Sequence, residues 1–132
     1  GYLDTLEALA ASDVAVVIEA RCAEGIFLPS KVVDCVQSGR PILSLSPQSG
    51  TMADLLHHGR GGLHVACDDP AAIAKSIEVL FRSWADRTLD ARYGSRALAP
   101  LFSPASVVAA WRRVFQEIGV REGARGVRCG AE

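Results

Sequence analysis

The sequence feature that most constrains the fold is an apolar run without polar alternation, DVAVVI, at residues 13–18. It follows a segment in which Leu3, Leu6 and Leu9 recur at near-helical spacing. Because both faces of the segment 14–18 are apolar, we expect a strand that is covered on both sides, as in a parallel sheet between two layers of helices. The run therefore predicts an α/β fold.

The same change from helix to strand occurs twice more. Helices predicted over 30–38 and 51–58 each end at a glycine, and the strands PILSL and LHVAC follow them. Strands that alternate with helices form right-handed βαβ units. These segments predict a partial Rossmann-like, doubly wound parallel sheet of about three strands with flanking helices.

Two longer helices are predicted after the third strand. The first covers 70–84, because Asp69 can cap it and a proline suits its first turn. The second is amphipathic and runs from Ser103 or Pro104 to Ile118.

The remaining segments are less regular. Residues 86–101 leave two alternatives open, a continued helix or a break at Gly94 and Pro100. The glycine- and arginine-rich residues 119–132 have little to bury and are expected to form a mobile tail.

Composition limits the possible functions. A net charge of −1 without a basic stripe argues against a nucleic-acid partner. No apolar run approaches the roughly 20 residues that span a bilayer, so we expect a cytoplasmic protein, either free or peripheral to the membrane. The four cysteines form no cluster with histidines, and we expect reduced thiols with no metal and no other cofactor. These cysteines are Cys22, Cys35, Cys67 and Cys129.

The thin sheet suggests that the chain is part of a longer protein. A doubly wound domain usually has about six strands, and this chain does not begin with methionine. The strand over 14–18 would then lack a neighbour. We therefore expect marginal stability, or self-association through its exposed edge.

The strongest candidate for a ligand site lies at Lys31, one of only two lysines. A long loop from Glu19 to Pro29 precedes it, and ligands in open α/β sheets lie at this position, beyond the carboxyl ends of the strands. The free N–H groups of the helix start, its dipole, the Ser30 hydroxyl and the Lys31 ammonium would together suit a phosphate. The alternative for Lys31 is a solvated surface charge.

Other polar residues could complete this site. Asp34 could accept hydrogen bonds from the hydroxyls of a ribose, and Glu24 would then lie near the distal group. After the second strand, a further set of residues either lines the base or distal phosphate pocket or forms an ordinary turn and helix cap. This set is Ser46, Ser49, Gly50 and Thr51. The histidines, including His64, are expected to have structural or surface roles.

The segment EGIFLPSKVVDCVQSGRPILSLSPQSGTMADLL, residues 24–56, resembles the donor-binding half of GT-B glycosyltransferases, especially family 4-like enzymes. The resemblance continues through GRGGLHVACDDPAAIAKSI, residues 59–77, and extends less clearly to the last helix. It implies that residues 1–118 are a partial C-terminal donor-binding domain.

The resemblance also implies a function. Such an enzyme transfers a sugar from a nucleotide diphosphate sugar of the UDP, GDP or ADP type to an acceptor, with retention and without a metal. Ser30 and Lys31 would hold the diphosphate, Asp34 the ribose, and Glu24 would face the donor sugar as the catalytic acidic residue. Glu19 is its rival, because Glu24 and Asp34 are slightly farther apart than the acidic pair of the family.

The resemblance implies that the acceptor site lies mostly in a separate N-terminal domain. The chain alone would therefore be inactive. Alternative functions are a GT-B-like sugar-nucleotide epimerase or phosphorylase, which fit the Pro-Ser-Lys motif less well, and a noncatalytic α/β module that binds a partner through its strand edge.

Overall fold

Helices and strands alternate through most of the chain. The structure is a computed structural model that describes residues 1–119, apart from the side chain of His58. Its strands are β1 (Ala15–Ile18), β2 (Ile42–Ser46) and β3 (Gly62–Ala66). Its α-helices are α1 (Tyr2–Ala11), α2 (Lys31–Ser38), α3 (Thr51–Leu55), α4 (Pro70–Ala85), α5 (Leu89–Tyr93) and α6 (Pro104–Glu117). Two 3₁₀ segments cover His57–Gly59 and Ser95–Phe102.

The three strands form one parallel sheet in the order β1-β2-β3. Its register places Val17 beside Ser44, and Ser44 beside His64. The predicted α/β class and the three-strand parallel sheet with flanking helices are therefore confirmed. Among the described residues, no helix has the length and apolar character that crossing a bilayer requires.

The two faces of the sheet differ in chemistry. On one face, Leu43 and Val65 form a buried cluster with Leu80 of α4 and Leu89 of α5. Alternate residues point to the opposite face, where the sheet buries the apolar Ala15, Val17 and Ile42 and the polar Ser44 and Ser46. A largely apolar core thus lies under α4, and a partly polar one lies on the other side.

Strand β1 departs from the expectation that both of its faces are covered. Ala15 and Val17 are buried, whereas Val16 is 52% and Ile18 63% exposed. The reason is the position of α4: its Leu80 packs on β2 and β3, so β1 lies at the edge of the sheet beyond the helix. An open apolar groove of about 500 Å³ remains between β1 and α4. Val16, Ile77, Phe81 and Trp84 are among the residues that line it.

Several predicted helix ends are confirmed. Helix α2 ends at Gly39, whose φ of 75° is the left-handed conformation that glycine favours at this position. Asp69 caps α4 by accepting a hydrogen bond from the N–H of Ala72 (2.9 Å). Arg40, just after Gly39, donates from Nε and Nη2 to the carbonyl of Ala10 at the end of α1 (3.1 and 2.7 Å).

Other segments are shorter or more broken than predicted. The helix predicted over 51–58 ends at Leu55, because Leu56 leaves the helical conformation and a 3₁₀ turn follows. Of the two alternatives for 86–101, the structure contains the break at Gly94, which separates α5 from the second 3₁₀ segment. Pro100 lies within that 3₁₀ segment.

The chain divides into two compact units, residues 1–99 and the part that begins at Pro100. In the second unit, Ser103 caps α6 by accepting a hydrogen bond from the N–H of Ser106 (3.1 Å). Helix α6 has no buried residue, and its Trp111 and Phe115 rings stack 5.7 Å apart. The domain predicted over 1–118 stays a prediction, and the predicted tail lies outside the described residues from position 120 onward.

Candidate functional site

Three loops meet at the edge of the sheet where its parallel strands end. The loop after β1 and the loop after β3 are joined by an ion pair between Arg21 and Asp68 (3.3 Å). The loop after β1 is also paired with the loop after β2, since Gly25 N–H donates to the carbonyl of Ser49 (3.0 Å). This edge is where ligands bind in open parallel sheets.

The contact between Gly25 and Gly50 is a short parallel β-bridge. The N–H of Thr51 donates to the carbonyl of Gly25 (2.8 Å), and its hydroxyl donates to the carbonyl of Phe27 (2.7 Å). Gly50 has a φ of 130°, and a Cβ atom there would overlap the Gly25 carbonyl. The predicted site residues Ser49, Gly50 and Thr51 are therefore brought to the loop after β1, and they hold it through hydrogen bonds.

The start of α2 offers fewer free donors than the sequence suggested. The N–H groups of Val32 and Val33 already donate to the carbonyls of Pro29 (2.9 Å) and Ser30 (3.2 Å). Within residues 1–119, the N–H groups of Ser30 and Lys31 have no acceptor, and the Ser30 hydroxyl makes no capping bond. The exposed Lys31 ammonium has no ion-pair partner within the same residues. Two backbone donors, a hydroxyl and a cation thus remain at this helix start.

Asp34 is already engaged on one oxygen. The Tyr2 hydroxyl, from α1, donates to Asp34 Oδ1 (2.8 Å). The hydrogen bond raises the pKa of Tyr2 above its ordinary value, because it stabilises the protonated phenol beside a carboxylate. A ribose at this position would have to share Asp34 with Tyr2 or displace it.

The two candidate acids in the loop have different environments. The Glu24 side chain is exposed and has no ion-pair or hydrogen-bond partner among residues 1–119. Glu19 is half-buried, and its Oε2 atom is buried without a hydrogen-bond partner in that same part of the chain. Oε2 lies beside Gly25, where a Cβ atom would be 3.6 Å away. Glu19 therefore lies under the loop, and Glu24 lies on its outer side.

Sequence reasoning missed His64, which belongs to a buried polar chain. Ser44 Oγ lies 2.9 Å from Ser46 Oγ, which lies 3.1 Å from His64 Nδ1. The other ring nitrogen, Nε2, is buried, and the ring also interacts with the backbone of Gln48. Burial lowers the pKa of His64, and the backbone of Gln48 and the charge of Glu19 oppose this effect in part. Polar residues at alternate positions in otherwise apolar strands were the available signal.

The structure thus brings together Glu19, Ser49, Gly50 and Thr51 around the loop after β1, with Ser30 and Lys31 at the end of that loop. Asp34 lies one turn into α2 and contacts α1 instead. Comparison of the chain with protein-family models and with curated protein sequences returned no match.

Proposed function

We propose that the chain is the donor-binding part of a glycosyltransferase and binds a nucleotide diphosphate sugar of the UDP, GDP or ADP type. The observation that carries this proposal is the start of α2, where the free N–H groups of Ser30 and Lys31 and the Lys31 ammonium follow the loop after a parallel strand. The resemblance of residues 24–56 to GT-B donor domains supports it.

The proposed chemistry assigns one task to each part of the site. The diphosphate lies against the start of α2, where two N–H groups, the helix dipole and Lys31 balance its charge. Because the leaving diphosphate gains charge as the glycosidic bond breaks, the same groups stabilise the transition state. Asp34 accepts a hydrogen bond from a ribose hydroxyl, and Glu24 or Glu19 faces the transferred sugar. The acceptor is bound by a separate domain of the parent enzyme, which is cytoplasmic and transfers with retention.

The proposal is tested by titrating UDP, GDP and ADP while following backbone amide NMR signals. We expect the amides of Ser30 and Lys31 to shift with at least one nucleotide. Lys31→Ala should weaken that binding by roughly 10- to 100-fold, since a hydrogen bond to a charged group contributes roughly 1.5–3 kcal/mol.

The second lysine provides a matched control. Lys75 is exposed on α4, on a different element from the candidate site. Lys75→Ala removes the same charge and should leave the affinity unchanged. An equal loss in both variants would mean that net charge alone attracts the nucleotide, and shifts confined to other parts of the chain would refute the site.

A second candidate function is a noncatalytic α/β module that binds a partner. The hydrogen bond from Tyr2 to Asp34 favours this second function, because Tyr2 occupies an oxygen of the residue assigned to the ribose. The exposed edge and face of β1 favour it as well. Absence of any nucleotide-dependent shift in the same titration would support this second function.

A further inference from the structure

A polar cavity lies at the opposite edge of the sheet from the candidate site. It has a volume of about 720 Å³ and lies between the carboxyl ends of α1 and α2 and the residues of α5 and the turn after it. Gly39 and Arg40, which line this cavity, come just before β2, whereas the candidate site follows the ends of the strands. The cavity is therefore separate from the proposed nucleotide site, and its volume is in the range of small-ligand sites.

Arg96 presents an unpaired guanidinium group to this cavity. Its Nε atom lies over Gly39, where an added Cβ atom would be only 2.6 Å away. Among residues 1–119, the Arg96 side chain has no ion-pair or hydrogen-bond partner. Because a guanidinium group can donate two parallel hydrogen bonds to one carboxylate, Arg96 is suited to bind an acidic ligand.

Arg40 adds a second positive charge, and its position is fixed by the fold. Its Nε and Nη2 atoms donate to the carbonyl of Ala10 (3.1 and 2.7 Å). Its Nη1 atom lies 3.7 Å from Asp90 Oδ2, a distance that allows an ion pair but is too long for a hydrogen bond. Nη1 can therefore still donate a hydrogen bond to a ligand.

The same cavity also contains negative charge. The Asp90 side chain is 66% exposed and lines the cavity. Ala10 and Ser38 mark the carboxyl ends of α1 and α2, which carry the partial negative charge of the helix dipoles. A simple anion would be repelled by these groups, and a simple cation would be repelled by the two arginines. The cavity therefore favours a ligand that carries both charges.

We propose that this cavity binds the zwitterionic head group of an α-amino acid. The ligand carboxylate accepts hydrogen bonds from Arg96 and from Nη1 of Arg40, and the ligand ammonium donates to Asp90. This inference goes beyond the proposed function and does not depend on it, because the two sites share no residue.

The test titrates L-alanine, L-leucine, L-glutamate and L-lysine into the full chain. NMR spectroscopy follows the Nε–H signal of Arg96 and the backbone amides of Gly39 and Lys31. Propionate and ethylamine are matched probes, since each is alanine without one of its two charged groups. We expect the amino acids to shift the Arg96 and Gly39 signals but not that of Lys31. Both matched probes should bind at least about tenfold more weakly than alanine.

Variants of the charged residues test the assigned contacts. Arg96→Gln should weaken alanine binding by roughly 10- to 100-fold, because it removes hydrogen bonds between charged groups. Glutamine keeps the Cγ and Cδ atoms that lie over Gly39, so the fold should persist. Arg113→Gln removes the same charge from the exposed surface of α6 and should leave binding unchanged. Asp90→Asn should weaken the binding of alanine but not that of propionate, which has no ammonium group.

Three results would overturn the inference. The first is an Arg96 signal that responds to none of the four amino acids. The second is equal binding of alanine and propionate, which would indicate a site for a simple anion. The third is an equal loss of affinity in Arg96→Gln and Arg113→Gln, which would indicate a general effect of net charge. Since Lys31 reports on the nucleotide site, failure of either proposal leaves the other one testable.

Discussion

At the scale of single residues, the backbones of Gly25 and Gly50 pair in a short bridge within the candidate site. Gly50 needs a φ of 130°, a conformation that L side chains rarely adopt, and has no room for a Cβ atom. Gly25 has neither restriction. Two neighbouring glycines in one bridge are therefore expected to differ sharply in their tolerance of substitution.

Gly50→Ala should lower the free energy of unfolding by about 1–3 kcal/mol or more, because it combines backbone strain with overlap of the Gly25 carbonyl. Urea unfolding followed by circular dichroism measures the change. Gly25→Ala is the matched control and should change stability by less than about 1 kcal/mol. Equal losses in the two variants would show that the bridge is not formed in solution.

The sequence indicated which helix or strand carries a given residue, but it did not indicate the contacts of that residue with other helices and strands. The start of α2 at Lys31 follows from local signals: a proline, a serine and an apolar helix. The partner of Asp34 is Tyr2, which lies 32 positions earlier, and the partner of His64 is Ser46 on the next strand. Such pairs depend on helix packing and strand register, which local signals do not contain. For this reason the sequence did not reveal the contact of Asp34 with Tyr2 or that of His64 with Ser46.

At the scale of elements, a capping side chain in the sequence strongly specifies where a helix starts. Asp69 accepts from the N–H of Ala72, and Pro70 occupies the first turn of α4. Asp69→Ala should therefore destabilise the protein by about 1 kcal/mol. Thermal unfolding followed by circular dichroism provides the measurement.

The adjacent acid is a natural control for this cap. Among residues 1–119, the Asp68 side chain has one partner, Arg21, in an exposed ion pair (3.3 Å), and such pairs contribute about 0–1 kcal/mol. Asp68→Ala should have the smaller effect, and adding salt should reduce it further. A larger loss in Asp68→Ala than in Asp69→Ala would contradict the assigned cap.

The predictions for helices and strands are wrong where the sequence contains no local signal of this kind. The strands and the long helices were predicted because apolar patterns and caps act over neighbouring residues. Helix α3 was predicted too long, because the turn at Leu56 depends on how the segment packs on β2 and β3. The coverage of β1 was overestimated, because an apolar pattern shows that a face can be buried but not whether a helix reaches it.

At the scale of the whole molecule, the exposed edge and face of β1 lead us to expect self-association. Val16 and Ile18 are more than half exposed, and β1 has no neighbour on its outer side in the described sheet. A second copy that pairs with this edge would satisfy its backbone groups and cover apolar surface.

Val16→Lys should prevent this association, since charged side chains block edge pairing. Sedimentation velocity over a range of concentrations would show dimers for the unmodified chain and monomers for the variant. Leu3→Lys places the same charge on the exposed part of α1, where Leu3 is 70% exposed, and should still dimerise. A monodisperse monomer for the unmodified chain would rule out the edge interaction.

The hydrogen bond between Tyr2 and Asp34 links the availability of the Asp34 carboxylate to the opening of α1. Helix α1 has no fully buried residue: Leu6 and Leu9 are half-buried, and hydrogen bonds of Tyr2 and of Arg40 with Ala10 also link the helix to the rest of its unit. Local opening of such a segment requires less free energy than global unfolding. Each opening releases the Asp34 oxygen that Tyr2 occupies. Opening of the first helix would therefore leave both carboxylate oxygens of Asp34 available for new hydrogen bonds.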